Sequence, residues 1–282
     1  MANVQVVWAK ASDGRDVARV EAVTRTRLAR AGYVLWSVIT AASLTFLLLD
    51  WLFPFPLARV QLAANPQGAA SSVVLLRSGH LRIPLLPQDV SPVLVRTVVA
   101  SEDRWFGWHP GINPASIVRA AWANWRNGRV VTGASTIAMQ LAQLTEPAPH
   151  TVWTKCREAF RAMQLQRHFS LDELLALYLN FSRYGGTIEG AGAASRVYFG
   201  KTAAQLSLSE VALLTALPHA PLREDPLRNP ERARAARDHV LDRLAKQRVF
   251  PQRAIAAARR QPLLTGSAEH AGFAEPLQRT SG

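Results

Sequence analysis

Two stretches decide the fold: Ser170–Asn180, reading SLDELLALYLN, and Ser207–Pro218, reading SLSEVALLTALP. Each opens with a serine and carries glutamate three residues later. The serine hydroxyl can cap the third helical N–H while the glutamate reaches back to the serine N–H, and an apolar run follows. Both therefore predict helices. Working outward, Ser91-Pro92 and Asn113-Pro114 pair an N-cap residue with a first-turn proline, and Gly128 stops the helix containing SIVRAAWANWRN. Asn229-Pro230-Glu231 opens a long arginine-rich helix towards Val249. The exception is SVVLLRSGHLRIPL over residues 72–85, two apolar runs around Ser78-Gly79 that predict a short β-hairpin. Residues 54–72, rich in Pro, Ala, Gln and Ser, read as a linker, and no internal repeat is present. The expected fold class is mainly α, with a small β-hairpin segment.

The chain has 282 residues, 49% of them hydrophobic, enough for one substantial core. Its single cysteine, Cys156, excludes an internal disulfide and a cysteine-based zinc site. A formal net charge of +13 points to polyanionic partners: nucleic acid, anionic headgroups or phosphate-bearing substrates. One segment separates these. Ala31–Leu49 carries no charge, and at about 1.5 Å per residue it can cross a hydrocarbon core of about 30 Å. Trp36, Trp51 and Phe53 suit the interfaces, and Arg25, Arg27 and Arg30 precede the span. The positive-inside bias then places the N-terminus in the cytoplasm and everything after Pro54 outside. A cleaved signal peptide is the rival, opposed by the long charged leader; a buried core helix is the plainer alternative. The expected organisation is a cytoplasmic tail (1–30), a transmembrane helix (31–53), linker and hairpin (54–90), a main domain (91–250), and a C-terminal helix with polar tail (251–282). Arg232, Arg234, Arg237, Arg243, Lys246 and Arg248 are individually a solvated helix face. Together they could hold the domain to anionic lipid at about 1 kcal/mol per charge. The orientation removes nucleic acid from contention.

Three segments bear residues suited to chemistry. Glu102-Asp103 precedes Trp105, Phe106 and Trp108, so a carboxylate stands beside bulky apolar groups; desolvation there would favour the protonated form and make a better base. In TGASTIAMQ, Gly133 and Ala134 allow close backbone approach, and Ser135-Thr136 sit at a helix start suited to a phosphate or sugar oxygen. Lys155 and Glu158 are three apart on one helix face. Taken singly these are a solvated turn, an ordinary N-cap and a surface ion pair.

Their order and combination, continued by LLALYLN and RYGGTIEGAGAASRVYFGK, resemble the glycosyltransferase domain of class A penicillin-binding proteins and monofunctional transglycosylases. The resemblance runs from about Ser91 to about Arg248. The first family signature is met by Glu102, Asp103, Phe106, His109 and Gly111, and the second by Gly133, Ser135, Thr136 and Gln140. Lys155 and Glu158 meet the third, with Thr154 in place of an arginine. Leu175, Tyr178, Leu179 and Asn180 meet the fourth, with Leu171 where a lysine is usual. Gly186, Gly190, Ala194, Tyr198, Phe199, Gly200 and Lys201 meet the fifth. EDRWF, the Met before Gln140 and GGTIEGAGAAS are most similar to the penicillin-binding protein 1C subgroup.

The resemblance implies a lysozyme-like helical fold and a bacterial inner-membrane enzyme with its catalytic domain in the periplasm. The implied reaction joins lipid II to a lipid-linked glycan chain through a β-1,4 linkage, with inversion and release of undecaprenyl pyrophosphate. Glu102 is then the general base. Glu158 is the second catalytic acid, orienting Lys155, binding a metal or stabilising charge on the sugar. Asp103, Ser135, Thr136, Gln140, Lys155 and Asn180 are substrate-binding. Phe106, His109, Gly111 and Gly133 are structural residues near the site. No cofactor is required; a divalent cation, Mg or Mn, is the one assistant the pyrophosphate admits. Thr154 and Leu171 each remove a positive charge, for which Arg157 or Arg161 could compensate. No serine is followed three residues later by lysine, and Lys201-Thr202 runs into Ala203, so a transpeptidase site is not expected and separate transpeptidases would crosslink the product. Two rival readings remain: a lytic transglycosylase-like glycan-cleaving enzyme, and a catalytically weak or inactive partner in cell-wall assembly.

Overall fold

The computed structural model describes residues 14–56, 60, 74–75, 79–129, 133–149 and 151–263. The first part of the expected cytoplasmic tail, nearly all of the expected linker and the polar tail after residue 263 lie outside them. The chain divides into two compact units, residues 1–54 and 55–282. In the first, helix α1 (Gly14–Leu52) begins earlier than the expected span. Its segment Ala29–Leu52, 24 residues of mean hydropathy 1.8 and none buried, is long and apolar enough to cross a membrane. Two of its polar side chains are satisfied within the helix: the Thr40 and Ser43 hydroxyls donate to the carbonyls of Trp36 and Ile39 one turn back.

The second unit is mainly helical. Its helices are α2 (Pro92–Glu102), α3 (Pro114–Asn127), α4 (Ile137–Thr145), α5 (Val152–His168), α6 (Leu171–Phe181), α7 (Ala191–Phe199), α8 (Leu208–Ala216), α9 (Pro230–Lys246) and α10 (Gln252–Arg260). The capping chemistry read from the sequence is in place. Ser91 and Asn113 accept from the N–H groups of Leu94 and Ser116, and Gly128 closes α3 in the left-handed conformation. Ser170/Glu173 and Ser207/Glu210 form complete capping boxes. The helices they open are the core. Leu174–Asn180 are all buried in α6, and Ser209–Ala216 in α8. Around them α4 packs on α5 and α6, while α9 packs on α8 and α2. Phe55 and Val60, inside the stretch read as a linker, are buried in this same core, so the domain begins earlier than expected.

The hairpin exists, as β1 (Val74–Leu75) against β2 (Leu81–Arg82), but it does not stand alone. β2 pairs in parallel with β4 (Ile188–Glu189), and β4 pairs with β3 (Arg183–Gly185), giving the order β1-β2-β4-β3. A buried Arg82–Glu189 ion pair joins the middle strands, and the Arg82 guanidinium lies 4.7 Å above the Phe181 ring. Asn180, at the end of α6, holds the segment after β2. Its Oδ1 accepts from Leu85 N–H and its Nδ2 donates to Leu85 C=O, both at 2.8 Å. It is 1% exposed. Asn180, expected to bind substrate, thus has one donor and one acceptor engaged in a bond pair within the fold.

The basic face of α9 also needs correcting. Arg237 is 1% exposed, not solvated. It donates to Ser209 Oγ and to the carbonyls of Gln261 and Arg259, and pairs with Asp238. Arg243 is turned to the end of α2, where it donates to Ser101 C=O at 2.6 Å.

Candidate functional site

The C-terminal end of α2, the start of α4 and one face of α9 enclose a polar cleft of about 750 Å³. Glu102, the last residue of α2, stands in it with a side chain only 4% exposed. Both carboxylate oxygens are engaged. Gln140 of α4 donates its Nε2–H to Oε2 at 3.0 Å, and His219 Nε2 lies 2.9 Å from Oε1. Gln140 is itself fixed, because the buried Tyr178 hydroxyl donates to its Oε1 at 3.3 Å. Burial keeps that phenol well above its usual range, so it remains a donor. The last carbonyls of α2, which have no partner inside the helix, are met by α9: Arg243 on Ser101 and Gln247 on Ala100.

Asp103 follows Glu102 but plays another part. It is 6% exposed, with Oδ1 3.0 Å from His109 Nε2 and Oδ2 accepting from Ile137 N–H at 3.2 Å. Its charge therefore sits at the positive end of α4. Thr136 is likewise spent within the fold: its Oγ1 caps the Met139 N–H and donates to Gly111 C=O at 2.6 Å. Asp103 and Thr136, expected to bind substrate, reach the cleft wall while their polar atoms hold α2, α4 and the 106–111 turn together. Phe106 is buried beneath that turn. At Gly111, φ is +94°, and a Cβ there would collide with the Ala162 carbonyl of α5, so only glycine lets the turn lie on that helix. Gly133, by contrast, faces open space. It borders the cleft with Ala134 and Ser135, and Ser135 is the hydroxyl of this segment left to meet a ligand.

Lys155 and Glu158 form their own site on α5. Lys155 Nζ donates to Glu158 Oε2 at 2.6 Å; the lysine is half-exposed and the glutamate is 3% exposed. Glu158 Oε1 is buried with no protein partner among the described residues. Neither residue lines the cleft around Glu102. Thr154, where an arginine is usual, pairs its hydroxyl with Thr151 at 2.9 Å and is buried. Arg157 donates to Glu146 C=O, and Arg161 reaches the Glu146 carboxylate and Gln164 Oε1, so both expected substitutes for the missing charge are directed at α4's end and α5 itself.

Sequence reasoning missed His219, Arg243 in its actual place, and Arg119, all lining the cleft. Arg119, lone in an otherwise apolar part of α3, could have been singled out; His219, in the Leu217–His219 turn after α8, carried no local signal. These cations overturn the expected electrostatics of Glu102. Burial does push its carboxyl up, but the His219 hydrogen bond and charge, the Gln140 amide and Arg243 outweigh it, and the net shift is downward. Reciprocally, the bond to Glu102 raises the His219 imidazole, against burial and Arg243.

An ionised, buried carboxylate facing a polar, cation-lined cleft can accept a proton from a hydroxyl held there. Comparison with known proteins agrees in kind. Residues 73–245 match the family described as transglycosylase. Penicillin-binding protein 1C of Escherichia coli K12 is 44% identical over 236 residues, covering 81% of this chain and 30% of that protein. Penicillin-binding protein 1A of Aquifex aeolicus is 43% identical over 60% of this chain and 23% of its own length. Penicillin-binding protein 1A of Escherichia coli K12 is 36% identical over 69% and 23%. The chain spans less than a third of the length of these relatives. With a match over more than half its residues, the chain belongs to the transglycosylase family.

Proposed function

We propose that this chain is a peptidoglycan glycosyltransferase that polymerises lipid II. The acceptor 4-hydroxyl attacks the anomeric carbon of a lipid-linked glycan donor, its proton passes to Glu102, and the anomeric bond to undecaprenyl pyrophosphate breaks with inversion. The observation that carries the reading is Glu102 itself: a buried, ionised carboxylate held on two sides at the wall of a cleft large enough for sugar. A sugar hydroxyl is a weak nucleophile and needs a base, whereas pyrophosphate is already a good leaving group and needs charge neutralisation. Lys155, held by Glu158, supplies that charge. The reading requires the pyrophosphate to reach α5 while the reacting sugars occupy the cleft, with Ser135 and Gln140 placing sugar or phosphate oxygens.

A divalent cation on the pyrophosphate would need only one or two carboxylates beside the phosphate oxygens, and Glu158 Oε1, buried without a protein partner among the described residues, would be the oxygen nearest Lys155 to offer one. Among the described residues no three His, Cys, Asp or Glu side chains come together, and Glu158 already spends one oxygen on Lys155. We place the enzyme in the bacterial inner membrane, anchored by α1 with its domain in the periplasm. Trp122 and Trp125 on α3 and Trp153 on α5, each at least 60% exposed, suit a lipid interface. The test is incubation of the full chain in detergent with labelled lipid II. Polymer is expected, and none from Glu102→Gln. Shortening of finished glycan without polymer would support the lytic reading instead.

A further inference from the structure

Gln140 and His219 occupy opposite oxygens of Glu102, but they are not equivalent partners. Gln140 projects from helix α4 and is backed by the buried Tyr178 hydroxyl, so a second hydrogen bond holds it against Glu102. His219 sits on a short turn after Pro218, its side chain 55% exposed while Glu102 is 4% exposed. Whatever covers Oε1 on the cleft side is therefore the imidazole. We propose that His219 is a positioning residue that gates the base: it covers and pairs Glu102 Oε1 in the free enzyme, and must swing away before that oxygen can receive the acceptor's proton. The inference rests on the reading of Glu102 as base.

The neighbourhood makes this gate responsive to pH. The charged groups that act on His219 are Glu102 from the end of α2, Arg243 from α9 and Glu224 from its own loop, while Asp103, Arg104 and Arg119 line the same cleft. The contact with Glu102 dominates and favours the imidazolium. A protonated His219 grips a carboxylate as an ion pair, and a neutral one holds it by a single ordinary hydrogen bond. The gate is thus tight in acid and loosens as pH rises through the raised His219 titration. While it is tight, Glu102 is also a weaker base, because the adjacent cation stabilises its ionised form. No proton is gained or lost by the pair in opening; the imidazole exchanges the carboxylate for solvent, and the acceptor hydroxyl takes its place.

The test is the pH–rate profile of the full chain on labelled lipid II between about pH 5 and 9, for wild type, His219→Gln and His219→Ala. Glutamine keeps a neutral donor and alanine uncovers the carboxylate. Wild-type kcat should rise by about tenfold across the histidine titration, and this limb should vanish in both variants. Below that titration, His219→Ala should outpace wild type. Superimposable profiles would overturn the proposal, as would a folded His219→Ala protein inactive at every pH, since the imidazole would then be needed rather than in the way. A second measurement separates this from the base reading: the His219 titration followed by NMR should move to lower pH in Glu102→Gln. If Glu102→Gln still polymerised while that shift appeared, the base assignment would fall and the coupling would stand. No shift would sink the gate itself.

Discussion

Glu102 and Glu158 are both buried glutamates, each touching one cationic side chain, yet the fold treats them oppositely. Glu102 ends a helix, opens on a cleft, and has a partner on each oxygen, one rigid and one exposed. Glu158 lies in mid-helix, away from that cleft, with one oxygen on Lys155 and the other without a protein partner among the described residues. A buried acceptor left without a partner costs about 1–3 kcal/mol. The contrast separates a carboxylate prepared to exchange partners from one that fixes the position of a lysine. On the proposed reading, chemistry that needs a mobile proton belongs to the first, and placement of a fixed charge to the second.

The sharpest test of that division is Glu102→Gln, which should cut polymerisation by about 10³-fold with thermal unfolding nearly unchanged, because the amide keeps shape and cannot accept the proton. Near-normal polymer yield from a folded variant would erase the distinction. Lys155→Ala should cost about 10²-fold, with Lys155→Arg milder because the charge survives in a wider, flatter group. Wild-type rates from both would leave Glu158 nothing to position. Asn180→Ala should act on stability alone. It strands the Leu85 N–H and C=O, lowering unfolding free energy by about 2–3 kcal/mol in denaturant titration while kcat stays within about twofold. A collapse in kcat at unchanged stability would return Asn180 to the substrate.

The smallest effect concerns stability and pH. His219 is raised in the folded state, so its contribution is full below its unfolded value near 6.5 and is lost as pH rises through the folded value. Glu102 is lowered, so its contribution is present above 4.5 and is lost as pH falls through its folded value. The pair therefore stabilises between those limits and fades on both sides. With His219 more than half exposed, the gain is under about 1 kcal/mol. Thermal unfolding of wild type and His219→Gln should differ most within that window and converge outside it; a constant offset at all pH values would mean that charge plays no part.

What was legible in the sequence was local. A capping box closes its bonds within three residues, so Ser170/Glu173 and Ser207/Glu210 announced the two core helices without any tertiary knowledge. The extra strands were not legible, because Arg82 and Glu189 pair across 107 residues and neither run is long enough to show alternation. The acid pair marked the cleft, but the direction of Glu102's shift was misread. Its aromatic neighbours are adjacent in sequence, whereas His219 is 117 residues away in a proline-bounded turn without periodicity. The arginines of α9 were read as one face. The chain gives Arg237 and Arg243 inward partners that only the packing of α2, α8 and α10 supplies.

Arg237 has a consequence for how this protein could be shortened. The family match stops at residue 245, which invites a cut just beyond it. Yet the guanidinium of Arg237 is sealed inside by carbonyls of Arg259 and Gln261. A protein ending near residue 250 would keep the cation and lose those acceptors, along with the buried Ile255 and Ala258. Hydrogen bonds to a charged group are worth about 1.5–3 kcal/mol each, a sizeable share of a whole domain's total of about 5–15 kcal/mol, even though Asp238 and Ser209 stay with Arg237. The stretch that the family model covers and the stretch that seals Arg237 thus end at different residues, and a cut at the family boundary would open the interior between α8, α9 and α10.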